Sequence, residues 1–232
     1  MKISFLLLAL NLAVLSTSSA VLYSGNGNTG FGGVVSSMDV TNDATNITFK
    51  LNRGPGQLND QLVIYIDSVT GGSNSTTNFT DASDNLRRAI SGRSGSGGVS
   101  VVTFPTGFTA DYGIALEGGF AGVWGLVNNG THTFLTTANG APGGSAQSSY
   151  TMTTSLASLG LSIGTNLRFV ATYLNAGTAF RSDEGIGTLP SGNPGTNPAT
   201  FTSSSLYTVV PEPSTTLLGA LFGLAAILRR RR

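Results

Sequence analysis

Apolar and polar residues alternate at every second position in several segments of this chain, and that pattern most limits what it can fold into. Ile47, Phe49 and Leu51 alternate with Asn46, Thr48 and Lys50, the period of a half-buried strand. Residues 62–66 (Leu-Val-Ile-Tyr-Ile) are continuously apolar and end at Asp67, which predicts a central strand covered on both faces. Further strands are expected over residues 99–104, 112–117, 123–128, 131–137, 150–154 and 167–174. In the last of these Leu167, Phe169, Ala171 and Tyr173 share one face. Asn129-Gly130 carries the signal of a two-residue type I′ hairpin. Only residues 81–90 read as a helix, with Asp81 or Ser83 as N-cap, Leu86, Ala89 and Ile90 on one face, and Gly92 as the stop. Many short strands and one short helix predict an all-β fold, an antiparallel β-sandwich of jelly-roll-like kind, over residues 21–188. Residues 189–210 are rich in Pro, Gly, Asn, Ser and Thr. They read as a tether, with a last strand or more tether over 206–210.

The chain has no cysteine, so this body has no disulfide, thiol chemistry or cysteine-based metal site and must be held by its core. Its two ends are of different character. Met1-Lys2 is followed by an apolar run over residues 3–15 and then by small residues to Ala20. That is the layout of a secretion signal helix over residues 1–20, cut by signal peptidase after Ala20, since the run is shorter than the roughly 20 residues that span a bilayer. At the other end Pro211-Glu212-Pro213 precedes an uncharged apolar stretch over 214–228, and Arg229, Arg230, Arg231 and Arg232 close the chain. As an apolar helix that stretch reaches only ~22 Å against a hydrocarbon core of ~30 Å. It enters a membrane if the arginines snorkel to the cytoplasmic headgroups.

Pro211, Glu212 and Pro213, the apolar stretch and the basic cluster, in that order, resemble the PEP-CTERM sorting signal. The resemblance covers residues 211–232. It implies an exosortase-like membrane enzyme as processing partner, transient anchoring by the C-terminal helix after export across the inner membrane, and delivery to the cell surface or extracellular matrix. A second resemblance covers roughly residues 45–187. The strand 62–66 closing on Asp67, the segment 111–117, Trp124, the segment 157–161 and Ser182-Asp183 are similar to DOMON-like sandwiches, which include family 9 carbohydrate-binding modules. This likeness implies a sandwich that binds saccharide at one face or rim. Those modules commonly clamp sugar between two tryptophans, whereas this chain has Trp124 alone.

Charge narrows the partners. The whole chain has a formal charge of +1, but Lys2 and the four terminal arginines supply its basicity. Residues 21–210 hold seven basic against ten acidic side chains, a net charge of −3. No basic stripe is left for nucleic acid. Gly25-Asn26-Gly27-Asn28-Thr29-Gly30 fits a dinucleotide-binding pattern by letter, but only four mature residues precede it and no helix follows, so it reads as a Gly/Asn turn. His132 is the sole histidine and is expected to face the surface from a strand; no G-x-S-x-G elbow accompanies it. Asp183 and Glu184 are the candidate ligands of a structural calcium, and no other cofactor is expected. Trp124 has apolar neighbours that favour a core position, and if exposed it is the first candidate sugar contact. The expectation is a non-enzymatic surface or matrix protein that contacts polysaccharide, the alternatives being a secreted glycan-active hydrolase and a purely structural surface protein.

Overall fold

The computed structural model describes residues 20–138 and 143–211. The leader helix, Glu212, Pro213, the apolar stretch and Arg229, Arg230, Arg231 and Arg232 lie outside them. Strands β1 (Val21–Ser24), β2 (Val35–Asn42), β3 (Asn46–Arg53) and β9 (Ser149–Ser155) make a four-stranded antiparallel sheet in the order β1-β2-β3-β9. The second sheet has seven strands: β4 (Gln61–Asp67), β6 (Tyr112–Glu117), β7 (Phe120–Gly125), β8 (Thr133–Thr137), β10 (Asn166–Asn175), β11 (Phe180–Ile186) and β13 (Ser205–Thr208). Its order is β11-β10-β4-β6-β7-β8, and β13 pairs with the first residues of β10. The sheets pack face to face, so the chain is the antiparallel sandwich that the alternation predicts. Met38, Val40, Ile47, Phe49 and Leu51 of the small sheet share one core with Leu62, Ile64, Ile66, Ile114, Phe169 and Tyr173 of the large one.

The large sheet is covered on its other face as well. Helix α1 (Asn85–Ser91), residues Phe79, Phe104, Phe108 and Phe201, and a small parallel pair of β5 (Val102–Thr103) with β12 (Ala199–Thr200) enclose a second core. Val63, Tyr65, Ala115, Trp124, Val170 and Leu174 project into it. This accounts for the continuous apolar run of β4, in which Leu62, Ile64 and Ile66 face one core while Val63 and Tyr65 face the other.

Helix α1 starts later than its pattern suggests. Asp84 is the N-cap, its carboxylate accepting from Arg87 N at 2.8 Å, and Gly92 ends the helix in the left-handed region at φ 63°. Three strands escape the alternation rule for physical reasons. A register shift between Val35 and Ser37 breaks the period of β2, and β1 is an exposed edge strand. The third, β11, reads Phe-Arg-Ser-Asp-Glu-Gly-Ile, a polar loop by composition, yet all but its first residue are buried. The predicted strand over 99–104 shrinks to β5 and that over 131–137 to β8, while the strand expected over 123–128 lies three residues earlier, as β7. The Asn129-Gly130 hairpin is absent: β7 ends at Gly125, Leu126 N turns to Asp111 O, and a longer connection leads to β8. The tight hairpin instead joins Glu117 to Phe120. Residues 189–210 are not a free tether, because Leu189, Ala199, Phe201, Tyr207 and Val209 are all buried in the body.

Two buried charges on β11 tie the layers together. Arg181 is fully enclosed and has no carboxylate partner among the described residues. Its Nε donates to Ser100 Oγ (3.0 Å), Nη1 to Thr172 Oγ1 (2.8 Å) and Nη2 to Ser100 O (3.1 Å). Burial pushes its pKa down and that of neighbouring Tyr65 up to about 12, so proton loss from the phenol is suppressed. Glu184, also fully buried, accepts four backbone N–H bonds: Phe31 (2.6 Å) and Gly33 (3.0 Å) on Oε1, Val34 (2.5 Å) and Val35 (3.1 Å) on Oε2. A carboxylate with this donor set is strongly held, and an amide in its place turns an N–H toward N–H donors. Glu184→Gln is therefore expected to lower unfolding stability by about 3 kcal/mol or more. Urea denaturation checks this; an unchanged midpoint would contradict the role given to Glu184.

Candidate functional site

An open groove of about 540 Å³ runs between the first turn of α1 and the β6-β7-β8 edge of the large sheet. The N-cap Asp84, Asn85 and Arg87 form one wall. Glu117 and Phe120, flanking the tight β6–β7 hairpin, with Trp124 and Phe134, form the other. Trp124 lies in β7 with its ring toward the second core and is only 2% exposed, so it is not an open stacking platform. Phe134, on the edge strand β8, is 44% exposed and supplies the accessible aromatic face. The rings interlock: Trp124 meets Phe134 edge-on at 5.6 Å, and Phe120 lies 6.5 Å from Phe134.

Arg87 joins the polar wall to the aromatic one. Its guanidinium carbon sits 5.8 Å from the centre of the Trp124 ring, a cation–π contact. It pairs with Asp81 at 3.3 Å and more closely with Asp84. Trp124 Nε1 is buried and has no hydrogen-bond partner among the described residues. An unmade hydrogen bond at a buried donor is costly.

His132 lies behind this wall and overturns its expected surface position. It is 1% exposed and precedes β8 rather than lying within it. Its Nδ1 accepts from Val127 N at 3.1 Å, so the ring proton belongs on Nε2, which lies 3.0 Å from Ser91 Oγ. In a hydrolytic triad a carboxylate accepts from that Nδ1 position; here an N–H donor occupies it, and Ser91 is as buried as the histidine. Asp81 instead receives the His132 backbone N–H at 2.8 Å. Burial raises the Asp81 pKa, but bonds from Ser83 and His132 outweigh it and hold the carboxyl below its usual range.

The proposed calcium residues are used differently. Asp183 accepts from Gly30 N (3.0 Å) on Oδ1 and from Gly192 N (2.7 Å) on Oδ2, and Glu184 accepts the four N–H groups described above. Their oxygens meet donors, the environment of an anion in a backbone nest rather than a cage offering lone pairs to a cation. No group of His, Asp or Glu suited to hold a metal converges among the described residues. The Gly/Asn-rich turn near the N-terminus thus cradles carboxylates of the same chain. A Cβ on Gly30 would come within 2.5 Å of Asp183 Oδ1 and 1.8 Å of Asn193 Oδ1, so a larger residue there would displace these side chains.

The sorting tail is met at the far end of the described chain. Val209 is buried and exchanges backbone bonds with the 164–165 turn: Val209 N to Thr165 O (2.9 Å) and Gly164 N to Val209 O (2.8 Å). Asn42 clamps Val210, its Nδ2 donating to Val210 O at 2.8 Å and its Oδ1 accepting from Val210 N at 3.0 Å. Pro211 follows directly. Of the residues singled out from the sequence, the structure brings only Trp124 to the groove. Phe120, Phe134 and Glu117 have no signal in the chain beyond strand periodicity, because their convergence is made by sheet order.

Residues 209–232 match the PEP-CTERM protein-sorting motif, one residue pair longer than the span read from the sequence. No curated protein and no solved structure matches the chain. The motif marks an exported protein addressed to exosortase processing, and its first two residues are the valines that the body holds.

Acid sensitivity is expected from His132. Burial, augmented by Arg87 and opposed by Asp81, lowers its pKa from the ordinary 6.5 to about 4. The unfolded chain therefore binds the proton first as pH falls. The stabilisation is fully present above pH 6.5 and is lost between 6.5 and about 4, on the order of 3 kcal/mol in all. Denaturant midpoints across that window should fall in the natural chain and stay flatter in His132→Gln; parallel profiles would refute the assignment.

Proposed function

We propose that this chain is a non-enzymatic cell-surface or extracellular-matrix protein, and that its sandwich binds polysaccharide in the groove between α1 and β8. The observation that carries this reading is the pairing of aromatic and polar walls. Phe134 and Phe120 offer apolar faces for the C–H side of a sugar ring, while Asp84, Asn85, Glu117 and Arg87 offer acceptors and donors for its hydroxyls. The open groove suits a chain passing through it better than an enclosed small molecule. The inward placement of Ser91 and His132 speaks against a serine-nucleophile form of the hydrolase alternative, because neither reaches a substrate. The sorting tail supports the setting: an exosortase-type enzyme acts at the Pro211, Glu212, Pro213 element, and the protein passes through a membrane-anchored stage before reaching the surface.

Trp124 is the sole tryptophan, so tryptophan emission, excited apart from the six tyrosines, reports on the wall of this groove. Soluble glucans, mannans and uronic-acid polymers titrated into the protein are expected to shift Trp124 emission, and an insoluble polysaccharide of the same class to retain it. Phe134→Ala combined with Glu117→Gln should weaken retention at least tenfold while leaving the circular dichroism spectrum unchanged. Absence of any shift or retention across the panel would remove the binding reading.

For the tail, Pro211→Ala with Glu212→Ala is expected to leave full-length protein in the membrane fraction. Normal C-terminal trimming and surface delivery of that variant would contradict the role given to these residues.

A further inference from the structure

The two ends of the body leave from the same end of the sandwich. Val21, the first residue after the expected signal cleavage, pairs with Val40 of β2, and two residues further along β2 Asn42 holds Val210. Tyr23 Oη donates to Leu206 O at 2.5 Å, binding the first strand to the last. Large apolar side chains are exposed around this end: Val21 at 42%, Ile163 at 40%, Leu206 at 57%, and Val69 at 39% beside Gly160. Ile163 also lines an open apolar groove of about 440 Å³, with Ala44, Leu156 and Leu161.

We propose that this end of the sandwich is a membrane-contact face, seated in the lipid headgroup layer while the sorting tail is in the bilayer. The inference rests on the anchored stage given above. Its geometry follows from the absence of slack. Val210 is clamped, and only Pro211, Glu212 and Pro213 separate it from the apolar stretch. Three extended residues span about 10 Å, and the headgroup layer is itself roughly 5–8 Å deep on each side of the hydrocarbon. A tail inserted from Ser214 onward therefore holds this end against the interface. An uncut leader would pull on the same end, because it joins the body at Val21.

Charge decides the kind of contact. Near this end the charged side chains are Asp43, Asp67, Asp111 and Arg168, an acidic balance that anionic phosphates do not attract. Asp43 binds Thr45 and Asn46 N–H groups, and Asp111 binds those of Ser68 and Val69. The contact is therefore apolar, through residues such as Leu206 and Ile163, and does not depend on anionic lipid.

The natural chain has no cysteine, so single-cysteine variants of the full chain carry one label each. Ile163→Cys, Leu206→Cys and, at the opposite end in the β10–β11 turn, Thr178→Cys would be labelled with bimane and reconstituted in phosphatidylcholine vesicles. Unchanged Trp124 emission certifies the fold of each variant. Headgroup-nitroxide lipid is expected to quench the label at positions 163 and 206 at least threefold more than at 178, with the chain resisting carbonate extraction. A carbonate-resistant chain quenched equally at all three positions would overturn the contact face while leaving the anchored stage intact. A chain released by carbonate would overturn the anchored stage, and the face with it. Quenching at 163 alone, with 206 as open as 178, would mean that the tail folds back into the apolar groove, and would also overturn the proposal.

Discussion

Neither face of the central strands of the seven-stranded sheet is left to water, and most of the structure follows from that constraint. A sheet packed on one side only would show polar residues at alternate positions of β4; here every residue from Leu62 to Ile66 is buried. The small sheet covers one face. The other face needs a lid, assembled from α1, two large loops and the β5–β12 pair. The groove exists because this lid is narrower than the sheet. Helix α1 stops short of the β7–β8 edge, leaving Trp124 covered and Phe134 open.

Covering a sheet with loops brings backbone polar groups and charges into the interior, where each must be matched. Arg181 binds the 92–101 loop to β10, and Glu184 gathers the N–H groups of the segment leading into β2. His132 plays the same part near the groove, bridging Val127 and Ser91. These are the polar side chains that a search for chemistry picks out first; Arg181 and His132 satisfy the lid, and Glu184 the entry into β2. The groups left facing the groove are more ordinary: a helix cap, an exposed phenylalanine and a carboxylate beside a hairpin.

The sorting tail is coupled to the fold more closely than its sequence suggests. Asn42 mimics a strand residue toward Val210, so the ordered body runs to the edge of Pro211. Proline then ends the pairing, since it lacks the donor that a further ladder bond requires. The chain thereby enters its address from the end of the body where the first strand also begins.

The sequence by itself determined the fold class, the central position of β4, the single helix, the acidity of the body and the address at its C-terminal end. Each of these is carried by local periodicity, composition or a contiguous motif, for which neighbours in the chain suffice. It carried no signal for β11 and misjudged the segment 189–210 and His132, because polar composition reads as exposure unless the partners that satisfy it are known. Tertiary structure alone decided those, along with the groove and the shared end of the two termini. Asn42 and Val210 are distant in sequence, as are Glu184 and the N–H groups around Gly33. Which residues meet across such distances depends on strand order and register, and no window of the chain contains that information.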